Sequence, residues 1–153
     1  MAPALATRYV FSLSIRVGAP IEAGDIGYGS RRLIPILGGT LTGEGISGTV
    51  REGGADFQMI RPDGFTELEA KYAIEMDDGA ILYIENIGIR FGSREALDKI
   101  RRGEVVDPSL IYFRSVPRFE TGAERYRWLM QSLFIGVGAR HPDRVELDVH
   151  RVL

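Results

Sequence analysis

The sequence predicts an all-β protein, an antiparallel β-barrel with one short helix. Two observations lead to this fold class. In most of the chain, apolar and polar residues alternate with a period of two, which is the pattern of half-buried strands. The alternating stretches are joined by short turns that contain glycine, proline or aspartate, and only one stretch has a helical pattern. Many strands with short turns are typical of a closed or nearly closed barrel.

The N-terminal part of the chain contains three predicted strands. Residues 1–6 are expected to be a frayed tail, and residues 7–17 form a first strand with five apolar side chains on one face. A second strand covers residues 31–37, where Pro35 requires an edge position or a bulge. The third strand, residues 40–50, contains three glycines and is expected to bend, as at a barrel corner.

The centre of the chain, residues 53–91, is predicted to form three strands joined by two tight turns. Both turns contain an Asp-Gly pair, which supplies a positive φ. The last of these strands is apolar on both faces, so we expect both faces to be covered. One face turns polar towards its end, in the order Leu82, Ile84, Asn86, Gly88, Arg90. Polar groups on a covered face need partners, so they predict a lined cavity.

The C-terminal part is predicted to hold the helix and the last strands. The helix covers residues 93–103, with Ser93 as its N-cap and a glycine at its C-terminal end. An extended run follows and ends in a turn at residues 117–122. A short helical turn then leads into a strand at residues 128–137, and apolar and polar residues alternate again in a last strand at residues 145–150.

The composition limits the size of the protein and its partners. With 153 residues, 44% hydrophobic and 26% charged, residues 1–153 are most simply a single globular domain. The net charge of −2 argues against nucleic acid as a partner, because a duplex binder presents a basic face. No apolar run reaches the length of a membrane helix and no signal peptide is recognisable, so we expect a cytoplasmic protein without a membrane partner.

Residues that commonly hold cofactors are scarce. There is no cysteine, and the two histidines, His141 and His150, stand apart near the C-terminus, so no metal site is predicted. Gly24, Gly27 and Gly29 superficially resemble a phosphate-binding loop, but the Lys-Ser/Thr pair and a following helix pattern are missing. We therefore expect no cofactor, and a small organic molecule as the partner.

Eight short motifs run in order over nearly the whole chain: Gly38-Gly39, Gly53-Gly-Ala-Asp-Phe-Gln, Arg61-Pro-Asp-Gly, Leu68-Glu-Ala-Lys-Tyr, Asp78-Gly-Ala-Ile-Leu-Tyr, Tyr112-Phe-Arg, Pro117-Arg-Phe-Glu-Thr and Tyr126-Arg-Trp-Leu. Together they resemble the DUF3237 family, also called UPF0311, of small β-barrel proteins. The chain departs from the family pattern at Phe57, Glu69 and Lys71. The resemblance implies an antiparallel barrel similar to the calycins, with an interior ligand cavity. It implies little about the reaction, because the family's activity is mostly unassigned.

Two pairs of residues are candidates for acid–base chemistry. Asp56 and Gln58 share a strand face and could act as a general base and an orienting amide. Alternatively, Asp56 caps a turn and Gln58 faces solvent. Glu69 and Lys71 are a second candidate pair, on a face whose charge pattern is also typical of a solvated outer surface.

The other predicted site residues are donors and aromatic side chains. Asn86 and Arg90 continue an apolar face, where Arg90 either binds a carboxylate or enolate oxygen or forms a structural salt bridge. Tyr112 and Arg114 share a strand face and form a donor pair, although Tyr112 could equally pack in the core with its hydroxyl at the rim. Three aromatic residues are expected to line or fill the barrel: Tyr72, Tyr83, Trp128.

This set of groups suits proton transfer beside a carbonyl. The predicted function is a cofactor-independent lyase (hydratase) or isomerase that acts on an α,β-unsaturated carbonyl compound. Asp56 or Glu69 would move the proton, and Arg90, Arg114 or Tyr112 would hold the enolate oxygen. Two alternatives stay open. One is a non-catalytic carrier of a small hydrophobic or aromatic ligand, and the other is an interaction module with a filled interior and an exposed apolar patch. A homodimer or higher homo-oligomer is compatible with all three.

Overall fold

A computed structural model describes residues 1–153 and shows a closed antiparallel β-barrel. Its ten strands are β1 (Thr7–Val17), β2 (Ile21–Asp25), β3 (Ser30–Gly43), β4 (Ile46–Val50), β5 (Ala55–Ile60), β6 (Thr66–Met76), β7 (Ile81–Gly92), β8 (Ile111–Glu120), β9 (Phe134–Arg140) and β10 (Arg144–Val152). One α-helix, α1 (Arg94–Arg101), lies between β7 and β8. Two short 3₁₀ helices cover Pro108–Leu110 and Glu124–Met130. The predicted fold class is confirmed.

The barrel has eight strand positions, because β4 and β5 share one of them. The order around the barrel is β1, β10, β9, β8, β7, β6, then β4 with β5, then β3, which pairs with β1 and closes the ring. β4 pairs with the last parts of β3 and β6, whereas β5 pairs with their first parts. β2 lies outside the ring and pairs with the first residues of β3.

The long strand β3 explains the proline and the glycines near it. Pro35 lies at a gap between two neighbours on one side of β3. β2 pairs with β3 as far as Leu33, and the pairing of β3 with β1 starts at Ile36. A missing N–H is tolerated at this gap. Gly39 has a φ of 141°, and a side chain at this position would overlap the carbonyl oxygen of Ser14 in β1. Only glycine therefore allows the two strands to approach here.

The half of the barrel next to β4 is filled by apolar side chains. The 3₁₀ helix Glu124–Met130 closes this end, and its Tyr126 and Leu129 are buried in the core. Burial of each large apolar side chain contributes about 1.5–3 kcal/mol. Seventeen buried residues form this core: Phe11, Leu13, Ile15, Ile36, Leu41, Val50, Tyr72, Ile74, Met76, Leu82, Ile84, Phe119, Tyr126, Leu129, Phe134, Leu147, Val149.

Helix α1 has the cap that the sequence predicts. The hydroxyl of Ser93 accepts a hydrogen bond from the backbone N–H of Ala96 at 3.2 Å, and Gly103 follows the helix with a φ of 77°. Ala96, Leu97 and Ile100 are buried against the barrel. The helix therefore lies beside the end of the barrel where β7 stops. None of the helices is long and apolar enough to cross a membrane.

Four predictions about local structure are wrong. The predicted strands at residues 31–37 and 40–50 are instead one long strand, β3, that continues to Gly43, followed by β4, and the connection before them contains β2. Residues 117–122 do not form a turn, because β8 pairs with β7 as far as Glu120. Pro117 fits into β8 because β9 pairs with β8 only at two residues before it. The predicted strand at residues 128–137 begins only at Phe134, after the 3₁₀ helix. The two faces of β7 are not both covered, since its outer face exposes Ile81, Ile87, Ile89 and Phe91.

Candidate functional site

A cavity lies inside the barrel next to the apolar core, towards the end where β1, β7 and β9 end and β8 and β10 begin. Its volume is about 40 Å³, which is room for one or two water-sized molecules. Ten of the sixteen lining residues are hydrophobic, and the polar ones are Asp56, Gln58, Asn86, Arg90, Ser115 and Arg140. The cavity is thus an apolar chamber with a few polar groups, which is the usual character of a small-molecule site.

A chain of hydrogen bonds fixes the carboxylate of Asp56 in the cavity wall. The side-chain amide of Gln58 donates to Oδ2 at 2.8 Å, and the backbone N–H of Glu69 donates to Oδ1 at 3.0 Å. Arg32 Nε donates to Oε1 of Gln58 at 2.9 Å, which orients that amide. Arg32 is itself held by the backbone carbonyl of Arg101 in α1 at 3.3 Å. Each carboxylate oxygen of Asp56 keeps further capacity to accept a hydrogen bond.

Four buried polar atoms around the cavity have no hydrogen-bond partner within the protein. They are the hydroxyl of Tyr72, Oδ1 of Asn86, Nε of Arg90 and Oγ of Ser115. All four residues are at most 9% exposed, and all four line the cavity. An unpaired buried polar group costs about 1–3 kcal/mol, so four of them around one space are unusual. Such a set is typical of a site whose partner atoms belong to a ligand.

Strand register brings these groups onto one wall. Ala70 in β6 pairs with Asp56 in β5 on one side and with Asn86 in β7 on the other, so only a methyl group separates the carboxylate from the amide. Ser115 lies between two glycines, one on each neighbouring strand. Small residues on the inner face therefore leave the space that the cavity occupies.

Burial determines how the cavity groups ionise. Burial raises the pKa of Asp56, although the Gln58 hydrogen bond and the charge of Arg90 oppose this shift. Burial lowers the pKa of Arg90 to about 10, so this guanidinium stays charged at neutral pH. Burial and the charge of Asp56 raise the pKa of Tyr72, which keeps the phenol protonated as a donor. The cavity thus combines a carboxyl group of increased basicity with a cation and a neutral donor.

Five of the eleven predicted site residues line this cavity, on the inner faces of β5, β6 and β7. They are Asp56, Gln58, Tyr72, Asn86 and Arg90. The proposed turn cap at Asp56 and the proposed solvent exposure of Gln58 do not apply, since Gln58 is 2% exposed and binds Asp56.

Glu69, Lys71 and Tyr83 do not line the cavity, and for Glu69 and Lys71 the alternative of a solvated outer face applies. Glu69 and Lys71 form an ion pair on the outer face of β6, with Oε1 and Nζ 3.3 Å apart. Glu69 contributes its backbone N–H to the site and not its carboxylate. The hydroxyl of Tyr83 donates to Glu85 at 2.9 Å on the outer face of β7.

Tyr112, Arg114 and Trp128 do not line the cavity either, although Trp128 packs against the apolar core, as the alternative of a filled barrel expects. Tyr112 is 55% exposed on the outer face of β8, and the guanidinium of Arg114 lies 5.2 Å from its ring centre. Trp128 belongs to the 3₁₀ helix at the opposite end of the barrel, where its ring packs against Phe134. In β8 the inner face is the other one, which carries Phe113 and Ser115.

Sequence reasoning missed three residues of the site: Arg32, Ser115 and Arg140. Arg32 is 1% exposed and shares its strand face with buried Ile34 and Ile36. An arginine on an apolar strand face is the same signal that drew attention to Arg90, so Arg32 could have been found from the sequence. Ser115 and Arg140 lack such a signal, because small or polar residues on their strands also fit an outer face.

No group of three or more His, Cys, Asp or Glu side chains is placed to hold a metal ion.

Comparisons with known proteins agree with this architecture. The sequence profile of a family described as "Protein of unknown function (DUF3237)" matches residues 5–152. A UPF0311 protein of Rhodopseudomonas palustris is 62% identical over 153 residues, which is the full length of both chains. A crystal structure of a conserved protein of unknown function from that species, also 62% identical, superposes with a TM-score of 0.97 over 99% of this chain and 100% of the other.

Two more distant structures share the fold. A β-barrel-like protein from Acinetobacter baumannii is 33% identical, with a TM-score of 0.87 over 100% of this chain and 99% of the other. A protein from Penicillium herquei that is described as an enzyme is 19% identical, with a TM-score of 0.74 over 100% of this chain and 98% of the other. At this identity the likeness concerns the fold alone.

Proposed function

This chain belongs to the DUF3237 family, and we propose that its barrel cavity catalyses cofactor-independent proton transfer on an α,β-unsaturated carbonyl compound. The reactions meant are addition or elimination of water and the related isomerisation. One observation carries the proposal: a positioned carboxylate, Asp56, stands in an apolar cavity together with four buried polar atoms that have no partner in the protein.

Asp56 is the proposed acid–base group. In hydration, its carboxylate takes a proton from the water that attacks the β-carbon, and the electrons of the C=C bond move onto the carbonyl oxygen as an enolate. The protonated Asp56 then returns the proton to the α-carbon, so that H and OH are added overall and the carboxylate is restored. Burial supports this role, because it raises the pKa of Asp56 and makes the carboxylate a stronger base.

Arg90 and Tyr72 are the proposed donors to the enolate oxygen. Arg90 offers an unpaired Nε–H and a full positive charge, and Tyr72 offers an unpaired hydroxyl. Donors that point at developing negative charge in a water-poor site stabilise the transition state. Asn86 Oδ1 is an unpaired acceptor, which suits the proton of the attacking water or of a substrate hydroxyl.

The size of the cavity limits what can be enclosed. A volume of about 40 Å³ is well below the roughly 300–1,000 Å³ of pockets that enclose drug-sized ligands. We therefore expect the cavity to hold the reacting end of a substrate, with the remainder outside.

A second candidate function is that of a carrier for a small hydrophobic ligand. The apolar walls of the cavity, which include Ile34, Leu68 and Phe113, favour it. A carrier would bind its ligand stoichiometrically without turnover.

The test measures deuterium incorporation and hydration of a panel of small α,β-unsaturated ketones, aldehydes and acids in D₂O. NMR would follow deuterium at the α-carbon and the appearance of the β-hydroxy product. Asp56→Asn is expected to lower the rate about 10²- to 10⁴-fold. Glu69→Gln is the matched control, because it removes a carboxylate on the outer face and keeps the backbone N–H that binds Asp56. Stoichiometric binding without exchange would favour the carrier, and equal activity of the two variants would exclude Asp56 as the base.

A further inference from the structure

A polar groove lies outside the cavity, and Arg90 borders both. The groove has a volume of about 230 Å³ and runs between α1, the start of β3 and the turn that joins β5 to β6. Arg90 is 2% exposed, and its Nε has no partner within the protein. A buried guanidinium with an unpaired N–H, shared between two spaces, points to a ligand that reaches from one space into the other.

The charges of the groove favour an anion. Its lining includes four arginines and two aspartates: Arg61, Arg90, Arg94, Arg101, Asp25, Asp98. Two positive charges are therefore in excess. Arg61 is also paired with Glu67 at 2.8 Å, and one positive charge remains when Arg61 is left out. Arg94 is paired with Asp98 at 3.7 Å, whereas Arg101 takes part in no ion pair, so the guanidinium of Arg101 is free to bind a carboxylate or phosphate.

We propose that this groove binds the anionic group, a carboxylate or a phosphate ester, of a substrate whose reacting end lies in the cavity. The link to the cavity rests on the proposed function, whereas the anion site itself does not. The substrate class is then an unsaturated carbonyl compound with an anionic tail. Arg90 contacts the tail from the groove side and the reacting end from the cavity side.

The anion site can be measured without turnover. Protein labelled with ¹⁵N is titrated with inorganic phosphate and, separately, with acetate at constant ionic strength. Saturable shifts are expected at amides that line the groove, such as those of Gly64 and Leu97. Arg101→Gln is expected to weaken binding about fivefold. Arg102→Gln, the neighbouring residue outside the groove lining, removes the same charge and is expected to leave binding unchanged.

Tighter binding of phosphate would assign a phosphate ester, and tighter binding of acetate a carboxylate. Absence of saturable shifts with both anions, or equal weakening by the two variants, would overturn the anion site, whatever the result of the exchange assay. Saturable binding in a protein that exchanges no deuterium with any compound of the panel would instead contradict the proposed function and leave the anion site standing.

A second inference concerns the outer face of β7 and β8, which carries an apolar stripe. We define the stripe by five exposed side chains: Ile87, Ile89, Phe91, Tyr112, Val116. They are contiguous, because Ile87 pairs with Val116 and Phe91 pairs with Tyr112 across the two strands. Contiguous exposed apolar side chains on a sheet face are typical of an interaction surface.

Charges of opposite sign flank the stripe. Glu67 in β6, Ile89 in β7 and Arg114 in β8 form one row across the sheet. Arg114 has no carboxylate partner within the chain. A two-fold axis parallel to β7 and above Ile89 turns β6 of one copy onto β8 of the other. Such an axis stacks Ile89 on itself and places Glu67 of each copy, whose carboxylate also binds Arg61 of its own chain, opposite Arg114 of the other.

We propose that the apolar stripe is the interface of a homodimer with this two-fold axis. Sedimentation velocity and light scattering of the full chain at micromolar concentration are expected to show a dimer. Ile89→Glu places two like charges on the axis and is expected to give a monomer. Leu133→Glu, an equally drastic change at an exposed site near the opposite end, is expected to leave the dimer intact.

A charge exchange tests the orientation of the two copies. Arg114→Glu is expected to weaken the dimer, and adding Glu67→Arg in the same chain is expected to restore it. Circular dichroism would confirm that each variant is folded. A monomeric wild-type protein, or a dimer that survives Ile89→Glu, would overturn the interface, and failure of the double variant to restore the dimer would overturn the axis.

Discussion

We expect the hydroxyl of Tyr72 to destabilise the folded protein. This side chain is 4% exposed, and its oxygen has no hydrogen-bond partner within the chain. Tyr72→Phe removes that oxygen and keeps the ring that packs in the core. Leaving a polar group buried and unpaired costs about 1–3 kcal/mol, so we expect the variant to be more stable by about 1 kcal/mol.

Urea denaturation of the ligand-free protein measures this difference, and thermal unfolding provides a second measurement. For a chain of this size, about 1 kcal/mol corresponds to a rise in Tm of about 2–4 °C. Tyr83→Phe is the control, because the Tyr83 hydroxyl donates to Glu85 at 2.9 Å. The control should be no more stable than the wild type, since it loses a hydrogen bond.

A Tyr72→Phe variant that is less stable than the wild type would refute this reasoning. It would mean that the hydroxyl is satisfied in the native protein and is not free for a ligand. If the variant is more stable and also loses activity, the hydroxyl is retained for function at the expense of stability.

Two further predictions concern the carboxylate and the barrel closure. The pKa of Asp56 is raised above its ordinary value of 3.8, so the folded protein binds its proton more tightly than the unfolded chain. The wild type should therefore lose stability relative to Asp56→Asn as the pH rises from about 4 through the pKa of the folded protein, and the difference in stability should then level off. Urea denaturation of both proteins between pH 4 and 8 measures this difference. A difference in stability that is independent of pH would contradict the raised pKa. Gly39→Ala should destabilise the barrel by more than about 2 kcal/mol, because its φ is positive and its side chain would overlap Ser14. Gly45 also has a positive φ, but a side chain there would meet no heavy atom within 4 Å, so Gly45→Ala should lower the free energy of unfolding by only about 1 kcal/mol. Similar losses of stability in the two variants would contradict the conclusion that the close approach of β1 and β3 requires glycine at position 39.

The fold could be predicted from the sequence because alternation and turns are local signals. Strand β6 illustrates this, since Leu68, Tyr72 and Ile74 alternate with charged residues and are buried as the pattern indicates. Strand β8 shows where local signals end. Tyr112 and Phe113 are adjacent aromatic residues in this strand, and the sequence does not indicate which of the two side chains faces the barrel interior. The pairing of β8 with β7 determines this, because Phe113 lies opposite the buried Arg90.

The candidate site was predictable to the extent that polar residues interrupt apolar faces. Asn86 and Arg90 carry this signal, and both are buried in the cavity wall. Arg140 does not, because it reaches the site only through the position of β9 between β8 and β10. The hydrogen bond from the backbone N–H of Glu69 to Asp56 could not be predicted either, because every residue except proline has a backbone N–H, whatever its side chain.

β4 and β5 share one strand position of the barrel, and this has a consequence for which substitutions affect the cavity. The chain leaves the wall after Val50 and returns at Ala55, so the wall beside the apolar core and the wall beside the cavity are separate segments. A substitution in β5 such as one at Gln58 alters the polar wall of the cavity, whereas β4 contributes Val50 to the seventeen-residue core. Four residues of that core, Ile15, Ile36, Tyr72 and Leu147, also line the cavity. Substitutions in β5 can therefore change the polar groups of the cavity while β4 keeps its contribution to the core. The same barrel can in this way enclose cavities with different polar groups.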